Sequence, residues 1–299
     1  MSKLKAIFAL LLIICISVCL PGCTTQEAAN IVATTLPVYE LTAILCAGTD
    51  LTVSRLITEE ISCLHDYTLQ VSQMRMIEAA DVVVLSGAGL ESFLGDTLDS
   101  AKKQIDASAG ISLLCSKQTH HHNHDHDHDH KHDGEYDPHI WLDPVLAKQM
   151  AANIYEKLVE IYPEHADHFL ENHYNLQARF DKLSEYAESQ LSVLTCRELI
   201  TFHDGFTYLA QAYDLSILHA IEEESGSEAS ASELIELIGI VQKHKLPGIF
   251  VEHSGSVSAA KIISAETGAK IYSLDMAMSG TSYFDAMYHN IDTLKEALG

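Results

Sequence analysis

Positive charge is what this chain lacks most. Its 18 Lys and Arg stand against 42 Asp and Glu, a formal charge of −24 with histidine neutral. A surface of that sign repels phosphate, which excludes nucleic acid as a partner. No apolar run reaches the roughly 20 residues that a membrane-spanning helix needs; the stretch 6–20 is the nearest approach. There is no His-Glu-x-x-His pair and no Gly-x-Ser-x-Gly elbow, so two common hydrolase constellations are missing. Tryptophan occurs once and phenylalanine eight times, whereas histidine occurs 18 times. What is present is ordinary core material, 47% hydrophobic over 299 residues, which excludes global disorder and allows one large domain or two of ordinary size. An acidic chain so rich in imidazole is a candidate cation binder.

The first residues read as an address. Lys3 and Lys5 precede the apolar run 6–20, which suits a cleaved secretory signal. Leu20-Pro21-Gly22-Cys23 follows and resembles the bacterial lipobox, in which the cysteine becomes the first mature residue and carries a diacylglyceryl group. The expectation is a signal peptide over 1–22 and a lipid on Cys23, whose two acyl chains hold an extracytoplasmic protein on the cell membrane. Loss of two lysines with the signal takes the formal charge from −24 to −26. Cys15 and Cys19 leave as well, so Cys46, Cys63, Cys115 and Cys196 remain. The compartment permits disulfides without demanding them, and sequence cannot choose a pairing.

Further along, short β-branched runs alternate with helical patterns. Strands are expected at 31–35, 53–57 and 82–85, with one helix over 37–46 opened by Pro37 and another capped by Ser72 that runs to 80. Ser86-Gly87-Ala88-Gly89 then turns the chain into a helix from Glu91. The second half repeats the plan, with strands at 199–202, 216–220, 249–251 and 270–274 and a capped helix over 232–243. Such alternation means parallel sheets covered by helices on both faces. Between the halves, 163–194 has no Gly and no internal Pro, and Phe169, Leu176, Phe180, Leu183, Ala187, Leu191 and Leu194 recur at helical spacings. The expected fold is α/β, with an N-terminal lobe over 23–162, one long rigid helix over 163–194 and a C-terminal lobe over 195–299. A stiff connector predicts small closing motions of the lobes.

The histidines form two groups. Within the stretch 119–133, His120, His121, His122, His124, His126, His128, His130 and His132 stand among acidic residues and cannot pack a core. They make a solvated loop that takes zinc, copper or nickel loosely and in many geometries. The others are isolated. His65 lies in Leu64-His65-Asp66-Tyr67 and His139 in Asp137-Pro138-His139-Ile140-Trp141-Leu142-Asp143-Pro144. His203 directly follows an expected strand in Phe202-His203-Asp204-Gly205-Phe206, and Asp275 directly follows the strand ending at Leu274. Ligands of parallel sheets gather beyond the carboxyl ends of the strands, so these positions point to a cleft between the lobes.

Together with Ala80-Asp81-Val82-Val83, Ser86-Gly87-Ala88-Gly89-Leu90-Glu91, Phe250-Val251-Glu252 and Thr267-Gly268-Ala269, these segments resemble the zinc and manganese substrate-binding lipoproteins of bacterial ABC importers. The likeness covers nearly all of the mature chain. It implies two α/β lobes joined by one long helix, and metal ligands at His65, His139, His203 and Asp275. Three imidazoles and one carboxylate suit tetrahedral zinc, and manganese-binding relatives carry Glu at the position of His203. Zn2+ is therefore the implied ligand and Mn2+ the alternative. Asp275 is followed by Met276 where the family has proline, which leaves Glu252, His253 or water open as the fourth ligand. The implied role is that of a monomeric receptor, not an enzyme, which captures zinc and delivers it to an ABC importer permease. Binding through neutral imidazoles weakens as pH falls toward about 6. A surface metal store or adhesin is the other reading; a store holds many equivalent ions, a receptor one tight ion and several weak ones.

Overall fold

The computed structural model describes residues 29–60, 64, 67–115, 136–220, 229–253 and 257–299. Cys23, Cys63, His65 and the histidines of the stretch 119–133 lie outside the described residues. Two parallel sheets of four strands organise the rest. The first contains β1 (Ile31–Ala33), β2 (Val53–Arg55), β3 (Val82–Leu85) and β4 (Gln104–Asp106) in the order β2-β1-β3-β4. The second contains β5 (Glu198–Thr201), β6 (Ser216–Ala220), β7 (Gly248–Glu252) and β8 (Lys270–Leu274) in the order β6-β5-β7-β8. Ile31 lies opposite both Val53 and Val82, and Glu252 lies opposite Leu274. The inner strands β1, β3 and β7 are buried along their whole length, which is why they read as unbroken apolar runs: helices cover both faces.

Those helices are α1 (Leu36–Leu45), α2 (Val71–Ala79) and α3 (Pro144–Ile161) in the first half. The long helix α4 (Ala166–Leu191) follows, and then α5 (Thr207–Ala212), α6 (Ala231–His244), α7 (Ser258–Thr267) and α8 (Tyr283–Leu298). Phe169, Leu176, Phe180, Leu183, Ala187 and Leu191 of α4 are all buried, as their spacing predicts. A separate 3-10 turn at Pro163–His165 precedes the helix, which stops at Leu191. The Asn172 amide of α4 donates to the carbonyls of Leu45 and Ala47, 3.0 and 2.8 Å away, and Tyr186 bonds Asp292 of α8. The connector is thereby fastened to both halves.

Two expected caps are displaced. Gln70, not Ser72, opens α2 by a reciprocal bond with Gln73, and Ser230, not Ser232, opens α6 with Glu233 returning the bond. The cap is the extended residue whose side chain reaches the third helical amide, and Ser72 and Ser232 already lie inside the first turn. The turn after β3 is built by Glu91. Its carboxylate accepts from the Thr34 hydroxyl, the Ser86 amide and the Gly87 amide at 2.7, 2.7 and 3.0 Å. Gly87 has φ 84, and a Cβ there would meet Asp106 Oδ1 at 2.0 Å, so only glycine fits.

Burial outweighs those three bonds and pushes the Glu91 carboxyl from 4.5 up to about 7. The folded chain then keeps a proton that the unfolded chain has lost. This contribution to stability is full below pH 4.5 and is lost as pH rises through about 7. Glu91→Gln is expected to flatten the decline of melting temperature between pH 5 and 7.5. On the order of 3 kcal/mol of pH dependence should disappear, and calorimetry at a series of pH values measures the change in slope.

Candidate metal centre

His139 sits just before a 3-10 turn, Ile140–Leu142, that leads into α3. The Asp143 side chain accepts from the Val145 amide at 2.7 Å, and Pro144 occupies the first helical position, so the end of this motif is a helix start. Its beginning holds an imidazole. Asp137 Oδ1 accepts from the His139 amide at 2.9 Å and pairs with His139 Nδ1 at 2.8 Å, with both side chains buried. A carboxylate that accepts a hydrogen bond from Nδ1–H orients the ring and leaves Nε2 as the nitrogen offered to a metal.

His203 follows β5, and Thr201 Oγ1 donates to its carbonyl at 2.7 Å. The next three residues, Asp204–Phe206, form the turn into α5. This places the His203 ring against that of His139, with centroids 5.3 Å apart and planes at 88°. Gly205 makes room for the pair. A Cβ at this position would lie 2.8 Å from His203 Cδ2, 2.9 Å from His139 Cε1 and 2.5 Å from Met276 Cε. Two imidazoles brought from opposite halves of the chain thus face one narrow space.

Asp275 follows β8. The Asn290 side chain of α8, fully buried, accepts from the Asp275 amide and donates to the Asp275 carbonyl, each at 2.7 Å. Asp275 Oδ1 accepts from the Ala277 amide at 2.7 Å, and Ala277 has a left-handed φ of 56. Glu252, at the end of β7, is buried and its Oε1 has no hydrogen-bond partner. Burial first and the neighbouring Asp275 second push its carboxyl up to about 8, so at neutral pH it is held largely as the uncharged acid. His253 is exposed, its amide bonded to the Leu274 carbonyl.

Of the residues singled out in the sequence, the structure brings His139 and His203 together. Among the described residues no three His, Cys, Asp or Glu side chains group closely enough to hold a metal. His65 lies outside the described residues. The sequence reading missed Asp137, which stands only two residues before His139, and it missed Gly205 and Asn290. Trp141 was also missed. Its indole N–H donates to the Met276 carbonyl at 2.7 Å, while its own carbonyl accepts from the Tyr283 hydroxyl at 2.8 Å. Tyr208 adds a third tie, donating to the Asp137 carbonyl at 3.0 Å.

Cys46 is buried, Cys196 half-buried and Cys115 exposed, and among the described residues no two cysteines form a disulfide. Among the described residues no helix is long and apolar enough to cross a membrane.

Comparison with known proteins gives a consistent set of relatives. The family described as zinc-uptake complex component A, periplasmic, matches residues 31–297. The zinc-binding lipoprotein AdcA of Streptococcus pneumoniae strain R6 is 31% identical over 311 positions, covering 98% of this chain and 61% of AdcA. This chain therefore spans less than two thirds of that relative. The high-affinity zinc uptake system protein ZnuA of Bacillus subtilis strain 168 is 29% identical over 281 positions, covering 90% of this chain and 87% of ZnuA. The crystal structure of the Zn(II)-bound ZnuA-like domain of Streptococcus pneumoniae AdcA superposes with a TM-score of 0.76 at 28% identity, covering 91% of this chain and 99% of that domain.

Proposed function

The chain belongs to the zinc-uptake complex component A family, and from that premise we propose that it is a receptor that captures Zn2+ and hands it to the permease of an ABC importer. The family consists of metal-binding transport receptors, and no enzymatic activity is assigned to it. The observation that carries the zinc reading is the imidazole pair His139–His203, with Asp137 fixing the ring of His139. Paired neutral imidazoles favour zinc, whereas manganese favours more oxygen ligands. The zinc-bound state of the AdcA domain supports the same cargo.

In this reading His65, His139, His203 and Asp275 hold the ion in the cleft between a lobe over 23–162 and a lobe over 195–299, with 163–194 as the connector. Glu252 is the acid that would take the fourth position in place of Asp275, losing its proton to the incoming cation, because it is buried and one of its oxygens is free of hydrogen bonds. The formal charge of −24 raises the local cation concentration. Capture is ligand exchange with no covalent step: imidazole nitrogens and a carboxylate replace water molecules bound to the ion, and separation of the lobes on the permease reverses the exchange. The histidines of the stretch 119–133 gather zinc weakly, and a lipid on Cys23 keeps the monomeric receptor on the outer face of the membrane.

Calorimetry tests the proposal. Zinc and manganese are titrated separately into the full chain and into a variant lacking 119–133. The expected result is one tight zinc site in both proteins, with several weak sites only in the first. Tighter manganese would reverse the specificity, and loss of the tight site with the stretch would make the stretch part of the cleft itself.

A further inference from the structure

The loop 275–283 begins at the candidate ligand Asp275 and ends at the first residue of α8. Side chains of the first half hold it along its length. Trp141 donates to the Met276 carbonyl at 2.7 Å, and Arg55 Nη1 donates to the Gly280 carbonyl at 2.9 Å. At the far end stands Glu40 of α1. Its carboxylate accepts from the Ser282 hydroxyl at 3.3 Å and from the Tyr283 amide.

That amide is one of the free donors of the α8 N-terminus, where the helix dipole favours an anion. A helix of one half is thus capped by a carboxylate of the other. Arg179 of the connector completes the arrangement, 3.7 Å from Glu40 Oε1 and stacked 3.9 Å over the Phe284 ring. The Glu40 side chain is only 15% exposed, so its bonds to Ser282 and Tyr283 are shielded from solvent, whereas Arg179 keeps much of its side chain in water.

The other end of the relay lies two turns along α8. Asn290 grips the Asp275 backbone with two bonds of 2.7 Å and is itself fully buried. A helix transmits displacement along its axis with little loss, because every turn is bonded to the next. From Glu40 through the α8 N-terminus and the buried Asn290 to Asp275 there is a continuous run of hydrogen-bonded groups.

Building on the receptor reading, we propose that α8 is a lever and Glu40 its anchor: Glu40 is a positioning residue, remote from the metal, that holds Asp275 in place and sets how long the ion is retained. When the halves part, the anchor is pulled away from α8, Asn290 shifts Asp275, and the ion loses a ligand without any change in the ion or the imidazoles.

Two measurements test this on the full chain. The first needs no metal. Amide hydrogen exchange at Asp275 and Ala277 should quicken about tenfold in Glu40→Ala and less in Glu40→Gln, which keeps an acceptor for the Tyr283 amide but loses the charge. The second uses zinc-loaded protein mixed with excess chelator, and release should be about tenfold faster in Glu40→Ala than in the unsubstituted chain. A lower melting temperature with both rates unchanged within twofold would make Glu40 a stabilising cap alone and overturn the proposal. Arg55→Ala, which removes only the bond to Gly280, serves if Glu40→Ala does not fold, and should quicken the same two rates. If the unsubstituted chain holds no tight zinc, the receptor reading fails, and the exchange rates still decide whether Glu40 controls Asp275.

Discussion

His203→Ala is expected to weaken zinc binding by more than about 100-fold, because outer-shell partners alone already account for about 10- to 100-fold. The reason is geometric. The His203 ring is what meets His139 across the gap at Gly205, with the two centroids 5.3 Å apart. Asp137→Asn should give the smaller loss of about 10- to 100-fold, since Asn can still face Nδ1 but cannot stabilise its proton as a carboxylate does. Gly205→Ala supplies an independent check. Its methyl would press on both rings at 2.8 and 2.9 Å, so it should weaken zinc binding while leaving every candidate ligand present. Competition against a chromophoric chelator measures all three, and an affinity unchanged by His203→Ala would remove the pair from the site.

Trp141→Ala is expected to lower stability by about 3–5 kcal/mol, the range for deleting a fully buried aromatic side chain. Trp141 is fully buried, and its indole N–H ties the first half to the Met276 carbonyl. For a chain of this size the loss corresponds to a melting temperature roughly 10 °C lower. Trp141→Phe keeps most of the volume but leaves the Met276 carbonyl without its donor, and should cost about 1–3 kcal/mol. Urea unfolding followed by circular dichroism compares the two. Equal, small effects would mean that the indole bond contributes little and that the halves are held by the connector. Because Trp141 is the only tryptophan and its ring lies 5.4 Å from that of His139, its emission also reports directly on metal entry.

The parallel strands were legible because their burial leaves a local mark. Val82-Val83-Val84-Leu85 is apolar throughout and rich in β-branched residues, as a short strand of a sheet covered on both faces is. The apolar stripe of α4 was legible for the same reason, since each residue at helical spacing meets the same neighbours. Helices α3, α7 and α8 were not read. In α8, buried Tyr283, Asn290 and Thr293 interrupt the apolar pattern because they bond or pack across to other elements. A polar residue that is satisfied by a distant partner looks, in the sequence, like a surface residue.

The candidate site divides along the same line. Order and spacing of the histidine and aspartate segments were enough to assign the family, because ligand type and position after a strand are properties of neighbouring residues. Orientation was not. Asp137 fixes the ring of His139 from two residues away, yet whether a carboxylate at that distance turns inward depends on the burial that Tyr208 and α3 provide. Gly205 reads as any turn glycine until the two rings and Met276 are seen around it. The link from Glu40 to Tyr283 joins residues 243 apart in the chain. Composition, address and fold class are sums over local choices, and a single chain of residues determines them. Which nitrogen faces the cleft, and what holds Asp275, are settled only when the two halves pack, because each depends on groups that meet nowhere but in the folded molecule.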